Sequence, residues 1–329
     1  MTKIIVDAMG ADAGVEMVAD ALTKARRTRD FEAVIVGPED ALVTRFREDP
    51  KVEILNTTEY ISNDEAPAFA IRRKKEASIV KGLRLLNESG DVLVTAGSTG
   101  ALLAGGYLIT KRIAGMERLC LAAMVPRGDG GVLMADAGAT MDTSPEVLLQ
   151  FGELLSNYAE AALKKVNPRV GLLNIGAESE KGDKRAVKTH ELLRESSLNF
   201  VGNVEARDIL TAPVDVIITD GFAGNIALKT LEGTARYFRS IVKQVLTTSA
   251  RTKLGALLIQ SELKNALQPL DYRAHGGAPL LGARKALYKA HGNSNAETFA
   301  LAIHEALDFA ESGVVERLSA LSETSKEQA

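Results

Sequence analysis

The chain has 329 residues, 46% of them apolar, enough for one large α/β domain or two small ones. A net charge of −3, 5% aromatics and no Trp leave neither a basic field for nucleic acid nor stacking platforms for bases or sugars. No apolar run approaches the roughly 20 residues a membrane span needs, and the chain opens on a strand without a signal-peptide pattern, so a cytoplasmic protein is expected.

Strand and helix alternate through the first hundred residues. Residues 3–6 form a short apolar strand that ends in Asp7-Ala8-Met9-Gly10. A helix is expected over about 15–27, with Val15, Val18, Ala19 and Leu22 on one face. A strand at 33–37, a helix from Pro38 through Phe46 and a strand at 52–55 follow. A long helix is expected from Pro67 to about Asn87, with Arg72-Arg73-Lys74-Lys75 as a solvated face or a docking patch for an acidic partner. Residues 91–106 then read as strand, tight turn and small-residue helix. Such alternation predicts a mostly parallel, doubly wound sheet.

From Leu119 the strands crowd together. The run 119–125 reads as one strand and holds Cys120, the only cysteine, which excludes a disulfide framework or a thiolate cluster and reads as a buried, inert thiol. Residues 127–131 suit a hairpin into a strand at 131–135, which would add an antiparallel element. Ser144-Pro145-Glu146 is a strong start for a helix running to about Lys165. Strands at 170–174, 199–204 and 214–219 follow, with a helix at 184–195 between the first two. Beyond Asn225 the pattern is helical, interrupted at 247–252. Residues 275–282 and 291–293 read as Gly-rich loops. Ser294 to Glu297 reads as a capping box for a final helix whose stripe of Phe299, Ala300, Ile303 and Leu307 is core, and the polar tail after Ser319 is expected to fray.

Five strand ends share one idiom of Gly with Asp, Asn or Thr: 7–10, 95–100, 136–138, 174–176 and 220–225. Any one of them serves an ordinary βα turn. Together they are expected to face one crevice, because in an open α/β sheet the ligand cleft lies outside the carboxyl ends of the strands. The turn at 97–100 is the richest. Gly97 and Gly100 permit close backbone approach, and the first amides of the helix, with the Ser98 and Thr99 hydroxyls, would form an anion cradle. It is neither G-x-G-x-x-G nor a P-loop. Of four histidines, His190 and His304 lie in helical runs without metal spacing, whereas His275 and His291 precede glycines in loops and stand as site candidates. Zinc protease and deaminase spacings are absent.

With Asp7 to Gly10, 95–102, 172–176, 220–225, 276–282 and 289–292 in this order, the chain resembles the bacterial phosphate acyltransferases of phospholipid synthesis over about residues 3–309. That family transfers a fatty acyl group from acyl carrier protein to inorganic phosphate. The resemblance implies one α/β domain over 1–329, similar to isopropylmalate dehydrogenase and phosphotransacetylase. It also implies a helical extension at about 235–272, a homodimer, peripheral contact with the membrane or a membrane acyltransferase, and no cofactor or metal. Where the family continues its opening motif with Gly-Asp-His, this chain has Ala11-Asp12-Ala13, and Ser98 and Thr140 stand where Asn is usual.

On that resemblance, the 98–100 turn holds phosphate or the developing oxyanion. Lys181 or Lys229 adds charge, and Asp220 or His275 orients phosphate or moves a proton. Asp7, Gly10, Asp136 and Asn174 are expected at the binding surface, as are Gly221, Gly224 and Asn225 from one turn and Gly276, Gly277 and His291 from the later ones. Transfer is expected to be direct, without an acyl-enzyme. Leu254, Leu257 and Leu258 form one face flanked by Arg251, Lys253 and Lys264, divided evenly between a dimer-packing helix and a lipid-touching tip. The competing readings are a short-chain phosphotransacetylase on acyl-CoA, a dehydrogenase of the related fold, and a non-catalytic scaffold for acyl carrier protein.

Overall fold

In the computed structural model, which describes residues 1–128, 130–267 and 275–327, the strands divide between two mostly parallel sheets rather than one. The strands are β1 (Lys3–Asp7), β2 (Glu32–Gly37), β3 (Val52–Asn56), β4 (Val92–Thr95), β5 (Cys120–Leu121) and β6 (Ala123–Val125). They continue as β7 (Val132–Ala135), β8 (Val170–Asn174), β9 (Phe200–Glu205), β10 (Val216–Ile218), β11 (Gly277–Leu281) and β12 (Ala286–Ala290). The first sheet runs β3-β2-β1-β4-β12-β11-β5 and the second β6-β7-β10-β8-β9. Among these strands only β11, against β12 and β5, and β6, against β7, pair antiparallel.

The helices are α1 (Gly14–Arg26), α2 (Glu39–Phe46), α3 (Pro67–Arg73), α4 (Ser78–Ser89) and α5 (Thr99–Gly105), which continues as a π-helical turn to Thr110. Then come α6 (Pro145–Ala161), α7 (Lys184–Glu195), α8 (Gly221–Thr247), α9 (Ala250–Leu258), α10 (Gln260–Leu267), α11 (Ala296–Glu311) and α12 (Val314–Glu327). One apolar core joins both sheets, from Val6 and Phe31 through Phe299 and Ile303 to Phe151 and Leu155. Burying each such side chain contributes about 1.5–3 kcal/mol.

The expected single strand at 119–125 is two. Cys120 pairs with Leu281 in the first sheet, and Ala123 pairs with Met134 in the second. The chain changes sheets at Ala122, whose amide still donates to Pro279 O at 3.0 Å. Cys120 is buried, and burial pushes its thiol far up. Residue 129 of the expected hairpin link lies outside the described residues, but β6 and β7 form the antiparallel pair that link was expected to make.

The long helix expected from Pro67 is broken between α3 and α4. Continuing it through Arg72 to Lys75 would set the like charges of Arg72 and Lys75 on one face, three residues apart. Instead Lys74 leaves helical geometry and pairs with Glu65 at 2.8 Å. The Gly-rich stretch at 275–282, expected as a loop, contains the buried strand β11. Its glycines answer to crowding. A Cβ on Gly276 would meet Ala302 N of α11 at 2.1 Å, and one on Gly277 would meet Lys289 O at 2.1 Å.

Ser144 caps α6 as expected, accepting from Val147 N at 3.3 Å. The cap of α11 is Asn295 rather than Ser294, because Ser294 Oγ donates to His291 O at 2.8 Å and Asn295 Oδ1 takes Thr298 N at 2.9 Å. The tail expected to fray after Ser319 continues as α12 to Glu327. After Glu232 no residue of α8 or α9 is buried. Residues 268–272 of the expected extension lie outside the described residues.

Candidate active site

A cavity of about 410 Å³ opens between the sheets, bordered by the turn after β4, the turn after β12, the crossing segment 121–126 and α8. The first sheet and its turns supply Thr99, His275, Lys289 and His291; α8 supplies Asn225, Lys229 and Glu232. Met124, Val125, Pro126, Leu210, Leu228 and Leu231 give the rest an apolar wall.

Lys289 is the buried cation of this cavity. It pairs in register with Thr95 of β4, and only 9% of it is exposed. Its Nζ donates to Ala96 O at 3.2 Å and to Ala290 O. An ammonium has three donors, so one remains for a ligand. Burial lowers its pKa to about 8, opposed by the nearby Asp12 and Asp7 carboxylates, so it is mostly charged at neutral pH. Burial likewise lowers the pKa of His291, which favours a neutral imidazole. Lys229, on the exposed side of α8, pairs with Glu232 at 2.9 Å.

His275 is held from behind. Its Nδ1 lies 3.1 Å from Glu305 Oε1, while Glu305 Oε2 accepts Gly276 N at 2.8 Å and the Tyr288 hydroxyl at 2.7 Å. Gly276 therefore serves α11 packing and this carboxylate, and Gly277 lines the cavity.

Of the turn at 97–100, Thr99 alone lines the cavity. Ser98 caps α5, accepting from Ala101 N at 3.4 Å, and borders a separate recess of about 10 Å³ together with Asp7, Gly97 and Tyr60. Gly97 N donates to Thr95 Oγ1 at 2.9 Å. Gly10, at φ +80°, lies so close to Gly97 that a Cβ would meet its Cα at 3.0 Å. These residues knit the first two turns together. Gly100 abuts α3, where a Cβ would meet Pro67 Cγ at 2.6 Å.

In the second sheet Asp136 is spent on its own surroundings. It accepts Leu121 N at 3.0 Å, Gly138 N at 3.2 Å, Ala139 N at 3.0 Å, and both the amide and hydroxyl of Thr140 at 2.6 Å. Burial still raises its pKa. Helix α8 starts against this knot: a Cβ on Gly221 would meet Thr140 O at 2.0 Å, and one on Gly224 would meet Asp136 O at 2.0 Å. Asp136, Gly221 and Gly224 thus shape the scaffold, and Gly138 and Asn225 reach the cavity.

Asp220 and Asn174 line a different cavity of about 600 Å³, walled by Leu172, Ile209, Phe222 and Ile226. Asp220 Oδ1 caps α8 through Ala223 N at 2.8 Å, and Oδ2 pairs with Arg185 at 2.6 Å. Asn174 spans its own loop, from Ile175 N to Lys181 O. Lys181 is exposed and lines neither cavity. The five strand ends therefore divide among three recesses, and the first cavity takes residues from the ends of both sheets.

Lys289, Glu232 and Glu305 are absent from the sequence-based site. Lys289 carried a legible mark: a lysine inside the apolar run 286–290, where charge is rare unless it is used. Among the described residues no group of three or more His, Cys, Asp or Glu is placed to hold a metal ion, and no helix is long and apolar enough to cross a membrane.

A family model described as "Fatty acid synthesis protein" matches residues 2–317. The phosphate acyltransferase of Thermoanaerobacterium thermosaccharolyticum is 41% identical over 317 residues, covering 96% of this chain and 95% of that protein. The phosphate acyltransferase of Bacillus pumilus is 42% identical over 315 residues, covering 95% of each. Among solved structures, a branched-chain phosphotransacylase from Enterococcus faecalis V583 is similar at a TM-score of 0.59 and 12% identity, covering 94% of this chain and 99% of that one. A phosphotransacetylase from Streptococcus pyogenes is similar at 0.57 and 17% identity, covering 94% of each. At those identities the likeness is one of fold.

Proposed function

The chain belongs to the fatty acid synthesis protein family, and from that membership we propose that it transfers a fatty acyl group from acyl carrier protein to inorganic phosphate, releasing acyl phosphate for phospholipid synthesis. The observation that carries this reading is the cavity between the sheets. It sets the buried Lys289 ammonium, Thr99 and two imidazoles against an apolar wall of Met124, Val125 and Leu228.

Those groups suit the two reactants. Lys289 and Thr99 hold the phosphate and the oxyanion that develops on the thioester carbonyl; a positioned donor of this kind is worth about 3–4 kcal/mol. The apolar wall receives the acyl chain. Phosphate oxygen attacks the carbonyl carbon, the C–S bond breaks, and the phosphate proton ends on the departing sulfur. Hydrogen phosphate and thioester thus give acyl phosphate and free thiol with no other reactant. His275, which lines the cavity, is the group that carries that proton. Alignment of the reactants supplies much of the remaining acceleration.

The apolar residues of the wall suit an acyl chain, and the short-chain acyl-CoA reading is kept open by the fold shared with phosphotransacetylases. Tyr237, Phe238 and Ile241 of α8 and Leu254, Leu257 and Leu258 of α9 are all at least 40% exposed, which supports a surface covered by a second copy or by lipid at the membrane. Incubation with phosphate and palmitoyl-acyl carrier protein, palmitoyl-CoA or acetyl-CoA, with acyl phosphate trapped as hydroxamate, tests the reading. Product from the carrier-protein donor is expected. Product from acetyl-CoA alone would assign the phosphotransacetylase, and no product from any donor the scaffold.

A further inference from the structure

The carboxylate of Glu305 receives donors from three sides. Gly276 N and the Tyr288 hydroxyl both donate to Oε2, at 2.8 and 2.7 Å, and Oε1 faces His275 Nδ1 at 3.1 Å. The first two are fixed donors. A backbone amide has no other role, and the buried Tyr288 phenol has its pKa pushed far up by burial and by the neighbouring carboxylate, so it keeps its proton. A carboxylate offers only acceptors. The third partner, Nδ1, therefore carries hydrogen. In a neutral imidazole that leaves Nε2 as the acceptor.

We propose that Glu305 is a positioning residue that locks His275 in the Nδ1–H form, so that Nε2 takes the phosphate proton and returns it to the leaving sulfur. The proposal rests on the acyl-transfer reading for its second half and on hydrogen-bond geometry alone for its first. Nδ1 keeps its proton throughout. Only Nε2 gains and loses one, and the charge passing through the ring is met by Glu305. The network also places the ring: Gly276 immediately precedes β11, Tyr288 lies on β12 and Glu305 on α11, so three parts of the fold fix one side chain.

Glu305→Gln tests this with the shape unchanged. An amide has one oxygen and one NH2. The oxygen is required where Gly276 N and the Tyr288 hydroxyl donate, which turns the NH2 toward Nδ1 and forces the proton onto Nε2. Two readouts follow. In protein labelled with 15N-histidine, with the His275 signals identified by their loss in His275→Asn, the wild type is expected to be protonated at Nδ1 and Glu305→Gln at Nε2. In acyl phosphate assays Glu305→Gln is expected to lose about 100-fold in kcat. KM for phosphate should stay within about twofold, and no further loss is expected in a His275→Ala background.

A wild-type ring protonated at Nε2 would overturn the proposal. So would a Glu305→Gln enzyme with unchanged kcat, or a loss of equal size when His275 is already alanine. A wild-type enzyme inactive with every donor contradicts acyl transfer instead, and the nitrogen spectrum still decides the tautomer without turnover.

Discussion

Thr95 Oγ1 donates to Asp7 Oδ2 at 2.8 Å, joining β1 and β4 side chain to side chain at their carboxyl ends. Burial raises the Asp7 pKa from 3.8 to about 6, with the hydrogen bonds from Thr95 and Met9 only partly opposing it. The folded protein thus holds this proton to higher pH than the unfolded chain does. The stability contributed is complete below about pH 4 and is lost as pH rises through about 6, a change of roughly 3 kcal/mol. Urea unfolding of wild type and Asp7→Asn between pH 4 and 7 checks this. The wild type should lose about that much relative to the variant, and a difference independent of pH would count against it.

Gly221 and Gly224 are required by the carbonyls they pass. Gly221→Ala drives a methyl to within 2.0 Å of Thr140 O and should destabilise the fold by about 2 kcal/mol or more. Gly233→Ala, in the same helix with nothing within 4 Å, is the control and should be neutral or stabilising by up to about 1 kcal/mol. Equal stability of the two variants in urea would remove the steric account.

Leu254 and Leu258 stand one turn apart on α9, 63% and 76% exposed. Changing both to Glu should abolish sedimentation with anionic liposomes and leave the mass in solution unchanged. Retained liposome binding would exclude a lipid contact here. Loss of a dimer would assign the face to a second copy.

Strands β1 to β4 and β8, and the starts of α6 and α7, are legible because apolar runs and cap residues act locally. The change of sheet at Ala122 is not, since one apolar run bears no mark of its two distant partners, Leu281 and Met134. Strand β11 was hidden by glycines that read as a turn but answer to the close backbones of α11 and β12. At the site, Thr99, Asn225, Lys229, His275 and His291 stand together in one cavity. Asp220 and Asn174 line another cavity, their side chains taken by Ala223 N and Arg185 and by their own loop, which pattern alone does not reveal. Lys289 escaped because a lysine is ordinarily read as surface.

Phosphate saturation of Lys289→Met is the most direct test of the cavity between the sheets as the place of acyl transfer. With fold confirmed by circular dichroism, kcat/KM for phosphate should fall by about 100-fold or more, the loss of one charged donor to phosphate and oxyanion. The wild type should show its own decline above about pH 8 as Lys289 loses its proton. A folded Lys289→Met enzyme with wild-type kcat/KM for phosphate would contradict the account and place the chemistry elsewhere.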